Sequence, residues 1–320
     1  MYGSLSKSEL FWPLFVIVAG LLLPFFANNY QLYLGCVLIV YMVLALGLDI
    51  IMGRAGQFAF SHIAFYGIGA YATAILQQRY GIPFPVGLVI AVLISSAISW
   101  LVAIASVRLR HIYLGLATVA FASAVHWLAQ TWKGMTGGVD GMRLQPSDML
   151  FFTSSTDASN FRVLAVILAI MLLLNFLLLR SSLGRAMAAI RDSEHVASVS
   201  GIDVRRTKAW AFVISSAFAC VGGGMLTVFN SFIDPMNFTF APAVLLLTML
   251  VVGGMGSVAG VIIGSLAMGI LPEILRSTMG DFIVWQEFVY GLILVLAITM
   301  MPQGIWGVVQ RLTQKSRSAT

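Results

Sequence analysis

The chain has 320 residues, of which 60% are hydrophobic and only 9% are charged, and its formal net charge is +6. Because soluble domains carry about a quarter charged residues, this composition excludes a soluble globular protein and indicates a membrane protein. The basic excess is typical of the positive-inside rule for membrane insertion, so it gives no reason to expect a nucleic-acid partner.

Apolar stretches account for most of the chain. Eight stretches without Asp, Glu, Lys or Arg sum to 216 residues, and the two longest have 39 and 38 residues. Since a crossing needs about 20 apolar residues, we expect two helices in each of these two and one in each of the others. The sequence predicts an all-α polytopic membrane protein, with one transmembrane domain over 1–320 and about ten transmembrane or re-entrant helices. These are 11–27, 32–51, 57–77, 84–105, 112–131, 162–179, 209–230, 241–255, 258–275 and 283–301.

The basic residues predict an orientation. With the N-terminus in the cytoplasm, thirteen Lys and Arg residues fall on the inner side and five on the outer side. The opposite orientation reverses this ratio and violates the positive-inside rule. We therefore expect both termini on the cytoplasmic side, which an even number of crossings allows.

Two connections are too long to be simple turns. The outer loop, 132–161, carries the run Thr136-Gly137-Gly138-Val139-Asp140-Gly141, and its length allows it to fold over a pathway. The inner loop, 180–208, holds nine of the thirty charges. Within it, Leu183, Ala186, Met187 and Ile190 fall on one helical face, which favours a short amphipathic helix at the membrane surface. A solvated linker that serves the positive-inside rule is the open alternative.

Glycine recurs at every fourth residue near the C-terminal end. Gly256, Gly260 and Gly264 have the spacing that lines small residues along one helix face, where two backbones can approach closely. A dinucleotide-binding turn is excluded, because the spacing has one residue too many between the last two glycines and no soluble strand precedes it. We interpret the three glycines as helix-packing residues.

Several kinds of chemistry have no support in the sequence. None of the four lysines follows a glycine-rich phosphate loop, so the chain is not an ATPase by itself. The carboxylates, including Asp49 and Glu273, lie near predicted membrane edges, which disfavours proton coupling and leaves Na⁺ coupling open. Nothing positions Ser61 against His126 as an intramembrane protease dyad, and the four histidines lack metal-ligand spacing. We expect no catalytic residue, bound cofactor or metal.

Five motifs in chain order resemble the LivM-type permease subunits of ABC importers for branched-chain amino acids. The first motif comprises 53–57 with 61–71, and the next three are 112–121, 136–141 and 182–202. The fifth comprises the later stretches 251–257, 271–276 and 302–307. The resemblance covers nearly the whole chain. Two positions depart from the family pattern: Ala59 stands where a serine is usual, and Val196 stands where an alanine is usual.

The resemblance implies a transport subunit in a bacterial inner membrane, not an enzyme. It implies four kinds of partner besides the lipid bilayer: a homologous second permease, two cytoplasmic ATPases that use the ATP, and an extracytoplasmic binding protein. The substrate class it implies is branched-chain or related apolar amino acids. Two other functions stay open, namely an ABC permease for urea or short-chain amides and a self-contained secondary carrier or channel.

The resemblance also implies roles for the two loops. In such importers a short inner helix docks on an ATPase subunit, and the residues implied here are Arg185, Arg191, Glu194, Ala197 and Gly201. An ion pair within its own loop is the alternative role for Glu194. In the outer loop, Thr136, Gly137, Gly138, Asp140 and Gly141 are expected to gate the pathway or contact the binding protein. A glycine-rich turn without a partner is the alternative there.

Overall fold

The computed structural model describes residues 20, 23–106, 111–145, 148–149, 152–153, 156–279, 282–301, 304–308 and 310. Most of the predicted first helix, 11–27, lies outside these residues, which include only 20 and 23–27 of it. Described single turns of helix are Leu23–Phe25, Lys133–Thr136, Gly138–Asp140 and Pro235–Phe238.

Eleven longer helices form the described structure. They are α1 (Asn29–Leu48), α2 (His62–Tyr80), α3 (Phe84–Ser106), α4 (His111–Thr131), α5 (Asp157–Arg180), α6 (Ser182–Asp192), α7 (Glu194–Val199), α8 (Val204–Phe229), α9 (Phe240–Gly253), α10 (Val258–Met279) and α11 (Phe282–Met300). A π-helical turn, Asp49–Arg54, continues α1. Four two-residue strands pair antiparallel: β1 (Met142–Arg143) with β4 (Phe232–Ile233), and β2 (Asp148–Met149) with β3 (Phe152–Thr153).

The all-α, multi-pass prediction is confirmed. In the described residues, six helical segments are long and apolar enough to cross a membrane: Asn29–Arg54, Phe84–Ala105, Asp157–Arg180, Val204–Phe229, Val258–Leu275 and Phe288–Val308. Helix α9 has 14 residues. At about 1.5 Å per residue it rises roughly 21 Å, which is too short to cross a hydrocarbon core of about 30 Å alone.

Several helices begin at other residues than predicted, because capping side chains rather than charge-free stretches determine where they start. Helix α5 starts earlier, at Asp157, since the Thr156 hydroxyl accepts a hydrogen bond from the Ser159 N–H. Helix α8 starts earlier than the predicted 209, since the Asp203 carboxylate caps the N–H of Arg206 at 3.0 Å. Helix α2 is an exception: it starts at His62, later than the predicted 57, without a capping side chain, and the segment 55–61 before it is not helical.

Two helices make up the interior. The apolar windows of α1 and α8 are 78% and 83% buried, whereas those of α3, α5 and α11 are 22%, 33% and 19% buried. Helix α8 packs against α1, α2 and α3. The backbones of α2 and α8 are so close that a Cβ at Gly69 would overlap the carbonyl group of Cys220. Small residues thus allow the close helix contacts that bundles in membranes require.

A buried histidine joins these central helices. The His62 Nε2 atom lies 2.9 Å from the carbonyl oxygen of Leu44 in α1, and Nδ1 lies 3.1 Å from the Ser215 hydroxyl in α8. A carbonyl oxygen only accepts hydrogen bonds, so Nε2 carries the proton and Nδ1 accepts from the hydroxyl. This histidine therefore has a structural role at the centre of the bundle.

Candidate functional site

The inner loop folds into α6 and α7, and a serine caps each helix. The Ser181 hydroxyl accepts a hydrogen bond from the Gly184 N–H at 3.1 Å, and the Ser193 hydroxyl accepts one from the Val196 N–H at 3.3 Å. These contacts satisfy backbone donors that a first helical turn leaves unpaired. The caps therefore separate the inner loop into two short helices between α5 and α8.

Helix α6 is amphipathic, as predicted. Met187 and Ile190 are 1% and 2% exposed, while Arg185 on the opposite side and Arg191 in the last turn of the helix are exposed. The amphipathic-helix prediction is confirmed, and the alternative of a solvated linker is wrong. Burial of the apolar face attaches α6 to the helical bundle.

Helix α7 is buried on one side and presents valines on the other. Ala197 is 2% exposed, whereas Val196 and Val199 are 62% and 77% exposed. The helix ends at Val199, and Gly201 two residues later has a φ of +84°, a conformation that favours glycine. Backbone bonds of 3.1 Å from Ile202 N–H to the Ala197 carbonyl and from Gly201 N–H to the Ser198 carbonyl complete this end as a Schellman motif.

Glu194 forms an ion pair with Lys208, the last residue of the same loop. Its Oε1 atom lies 2.5 Å from the Nζ atom of Lys208 in α8. The Lys208 side chain is 13% exposed and that of Glu194 is 41% exposed. The Lys208 carbonyl oxygen also accepts a hydrogen bond from the Gln57 side chain at 3.2 Å. Lys208 thus links α7 to the segment 55–61.

The two predicted arginines have different neighbours. The Arg185 guanidinium donates to the carbonyl oxygen of Arg180 at 2.8 Å, at the end of α5. Arg191 instead lies between two chain segments: a Cβ at Gly56 would be 3.5 Å from its Cα, and one at Gly256 would be 2.7 Å from its Nη1. Arg191 therefore contacts both the segment after α1 and the turn between α9 and α10.

A buried carboxylate that sequence reasoning assigned no role binds the same turn that Arg191 contacts. The side chain of Asp49 is 1% exposed, and its Oδ2 lies 3.0 Å from the Nε of Arg54, five residues later. Its Oδ1 accepts a hydrogen bond of 2.7 Å from the Gly256 N–H. The π-helical turn superposes residues five apart and so pairs Asp49 with Arg54. The sequence feature that could have revealed this pair is an Asp and an Arg five residues apart between two apolar stretches.

The helix-packing glycines do not share one helix face. Helix α10 begins at Val258, so Gly256 lies in the preceding turn, where its φ is +85°. This corrects the prediction, since the left-handed turn at Gly256 breaks the helical periodicity. Gly260 and Gly264 are within α10 and lie against α9: a Cβ at Gly260 would be 2.6 Å from the Gly253 carbonyl oxygen, and one at Gly264 would overlap that of Met249.

Thr136 is buried and holds the start of the outer loop together. Its hydroxyl donates to the carbonyl oxygen of Ala129 at 2.7 Å and accepts from the Gly138 N–H at 3.2 Å. Gly137, Gly138 and Gly141 all have positive φ, which explains the glycines. Val139 and Asp140 between them are exposed. The run is thus a rigid turn that presents two side chains outward, and β1 directly after it pairs with β4.

A cavity of about 280 Å³ lies between α2 and α4, beneath this turn. Its wall is mostly aliphatic and aromatic and includes Ile68, Ile75, Val125, Trp132 and Phe238. Three polar side chains, Tyr71, His126 and Thr136, also line it. Leu128 and Trp132 at its edge are 46% and 50% exposed, so the cavity opens at the surface of the chain.

A second cavity of about 210 Å³ continues in the direction of the inner loop. It shares Ala122, His126 and Phe238 with the first and reaches Phe60 and Phe240, whose ring centroids are 5.8 Å apart. We call the two cavities together the α2–α4 groove. Sequence reasoning considered His126 as a protease or metal residue only, and its position in the groove depends on long-range packing that the sequence does not encode locally.

Comparisons with known proteins agree with this architecture. The family model described as "Branched-chain amino acid transport system / permease component" matches residues 31–298. No solved structure matches the chain significantly.

Curated relatives of the chain include permease proteins of high-affinity branched-chain amino acid transport systems. LivM of Salmonella typhimurium and LivM of Escherichia coli are each 31% identical over 95% of this chain and 76% of their own length. LivH of Escherichia coli is 29% identical and BraD of Pseudomonas aeruginosa is 25% identical, each over 83% of this chain and 91% of the relative. The chain therefore belongs to the family of permease components of branched-chain amino acid transport systems.

Proposed function

We propose that this chain is the permease subunit of an ATP-driven importer that translocates branched-chain or related apolar amino acids. It binds no cofactor itself. ATP is hydrolysed by two cytoplasmic ATPase subunits, an extracytoplasmic binding protein delivers the substrate, and a homologous second permease completes the pathway. The chain lies in a bacterial inner membrane with both termini in the cytoplasm and about ten helices, some of them re-entrant.

The observation that carries this proposal is the two-sided structure of α7. Ala197 on one side is buried, and the exposed Val196 and Val199 on the other side form an apolar surface next to charged residues. Exposed apolar side chains at such a position are typical of a protein contact. Val196 is large where the family usually has alanine, so we expect a groove on the ATPase that accommodates a valine.

The connections of the inner loop support a mechanical role. Ion pairing of Glu194 with Lys208 attaches α7 to α8, and Arg191 contacts the segment after α1 and the turn between α9 and α10. A displacement of α7 by an ATPase is thereby carried into α1, α8 and the turn before α10. The internal ion pair agrees with the alternative role of Glu194, while the 41% exposure of its side chain leaves room for a second partner.

The lining of the α2–α4 groove favours apolar amino acids over urea or short amides. Urea offers almost no apolar surface, and a wall of Ile68, Ile75, Val125 and Phe238 gains little from contact with it. A branched-chain amino acid buries its side chain against such a wall. For this reason we consider urea and short amides less suitable substrates than branched-chain amino acids.

A binding and uptake experiment tests this proposal. The complete importer, in proteoliposomes with its binding protein and ATP, is expected to accumulate labelled leucine, isoleucine or valine, and an excess of urea or acetamide is expected not to compete. Val199→Asp is expected to weaken retention of the ATPase subunits during purification, with Arg206→Ser, an 83% exposed side chain at the start of α8, as the matched control. Competition by urea at the concentration at which leucine competes would contradict the substrate assignment.

A further inference from the structure

Two buried polar atoms in the α2–α4 groove have no protein partner. The hydroxyl of Tyr71 and the Nδ1 atom of His126 lack a hydrogen-bond partner among the described residues, although both atoms are buried. Buried polar groups in proteins are nearly always satisfied by protein, water or ligand. Because both side chains line the 280 Å³ cavity, its apolar wall carries polar groups at which a ligand can be bound.

The groove also has a direction. Thr136 and Trp132 of the outer loop line one end, and the Phe60–Phe240 pair lies at the other. The Phe60 backbone N–H donates to the Thr118 hydroxyl of α4 at 3.0 Å, which fixes this aromatic end to the groove wall. Beyond Phe60, a separate cavity beside Met52 and Ala59 has a volume of only about 10 Å³. The groove is thus open near the outer loop and closed toward the inner loop.

Resting on the proposed function, we propose that the α2–α4 groove is the substrate-binding surface that this chain contributes to the pathway. The amino acid side chain lies against Ile68, Ile75 and Val125. Its carboxylate accepts hydrogen bonds from the Tyr71 hydroxyl and from a ring N–H of His126. A few polar groups on an apolar wall are the usual composition of small-molecule sites, and the two cavities of about 280 and 210 Å³ together lie within their roughly 300–1,000 Å³ range.

The exposed edge of the groove agrees with a site shared between two permeases. Leu128 and Trp132 are about half exposed in the isolated chain, so one side of a bound amino acid is left uncovered. A second permease packed along α4 supplies the missing wall.

Cysteine accessibility distinguishes a water-filled pathway from a lipid-filled crevice. Cys36 and Cys220, both buried, are replaced by alanine, and Ala72→Cys and Ala122→Cys place thiols on the two walls of the groove. Ala97→Cys, exposed on α3, is the control. Since thiols react as thiolates, a charged reagent added outside is expected to label both groove cysteines and not the control, and leucine with its binding protein is expected to slow the labelling. Labelling of neither groove cysteine, or equal labelling of the control, overturns the proposal.

Transport measurements test the binding role. In the complete importer, Ala122→Trp fills both cavities and is expected to lower leucine uptake about tenfold or more, whereas Ala97→Trp leaves it unchanged. Ala72→Leu shrinks the groove and is expected to reduce leucine uptake more than alanine uptake. A misfolded variant lowers both equally and loses stimulation of ATP hydrolysis by the binding protein.

These results separate two failures. If the wild-type importer accumulates no branched-chain amino acid, the proposed function is wrong. The groove assignment is wrong, while the proposed function stands, if the wild type accumulates leucine and both variants match it. Matching means that Ala122→Trp and Ala72→Leu transport leucine at the wild-type rate and with the wild-type selectivity.

His126→Asn and His126→Leu provide a further comparison. His126→Asn retains a hydrogen-bond donor and is expected to keep part of the transport of leucine. His126→Leu is expected to raise the KM for the substrate-loaded binding protein or to lower the maximal transport rate, while the amount of assembled complex stays unchanged. Equal, wild-type kinetics for both variants would remove His126 from the site.

Discussion

The Asp49 carboxylate accepts a 2.7 Å hydrogen bond from the backbone N–H of Gly256, a residue 207 positions later in the chain. This bond joins the end of α1 to the turn between α9 and α10. A Cβ at Gly53 would overlap the Asp49 side chain, so glycine at position 53 is what lets the carboxylate lie there. Arg191 of α6 contacts the same turn. The end of the bundle at which the loop 180–208 lies is therefore one connected unit that includes part of this loop.

We predict that Asp49→Ala destabilises the protein strongly. Removing one partner from a buried ion pair costs about 3–5 kcal/mol, because the remaining charge is left without compensation. Asp49→Asn retains an acceptor for the Gly256 N–H and is expected to cost less, about 1–2 kcal/mol. Thermal denaturation of the purified complex in detergent measures both. Equal melting temperatures for Asp49→Ala and wild type would contradict the role of this carboxylate.

A bulky side chain at Ala197 is predicted to uncouple ATP hydrolysis from uptake. Ala197 is 2% exposed, so Ala197→Phe pushes α7 away from the bundle at a cost of about 1–3 kcal/mol for overpacking. Ser198 next to it is exposed, and Ser198→Phe is the control for added bulk. We expect the number of leucine molecules imported per ATP to fall for Ala197→Phe and to change much less for the control.

The end of α7 offers a second, milder test. A Cβ at Gly201 meets no atom within 4 Å, so Gly201→Ala is opposed by its φ of +84° alone, at a cost of about 1–2 kcal/mol. Gly201→Pro additionally removes the N–H that bonds to Ser198 and forbids this φ. We expect uptake to decline from wild type through alanine to proline while the chain stays inserted in the membrane. Normal ATP-driven uptake by Gly201→Pro would contradict the coupling role of this turn.

Close packing of α9 on α10 is predicted to depend on Gly264. A Cβ there overlaps the Met249 carbonyl oxygen, so we expect Gly264→Ala to lower the free energy of unfolding by about 1–3 kcal/mol. Gly291 in α11 has no atom within 4 Å of such a Cβ, and Gly291→Ala is expected to be neutral or stabilising by up to about 1 kcal/mol. Unfolding of both variants in mixed detergent gives the comparison, and equal effects would contradict it.

Asp140 is predicted to affect encounter with the binding protein rather than folding. It is exposed on a turn whose shape is set by the hydrogen bonds of Thr136 and by three glycines with positive φ. Asp140→Ala is expected to raise the KM for loaded binding protein, with a dependence on salt, because exposed charges act mainly on association rates. Full binding-protein-dependent uptake by this variant would favour a turn without a partner.

The sequence anticipated much of the fold because membrane crossings depend on composition. Charge-free stretches predicted nine segments that coincide with helices, and the periodicity of Met187 and Ile190 predicted α6. The non-helical residues 57–61 were missed, since the chain leaves the helix at a positive φ of Gly56 inside a stretch that carries no charge to mark the break.

The candidate site was less predictable, because its contacts join distant parts of the chain. The bond from Asp49 to Gly256 and the shared cavity of Tyr71 and His126 depend on how helices pack, which hydropathy does not report. The interpretation of Gly256 as a packing residue of α10 was wrong for a related reason: a regular spacing of glycines does not reveal where a helix begins.

An omission series in proteoliposomes tests the central claim most directly. The chain is reconstituted alone, with the second permease, and with both permeases, the ATPases, ATP and the leucine-loaded binding protein. The account predicts leucine accumulation in the complete mixture alone, and its loss when ATP or any one component is left out. Leucine accumulation by this chain without the ATPase subunits would contradict the account and identify a self-contained carrier.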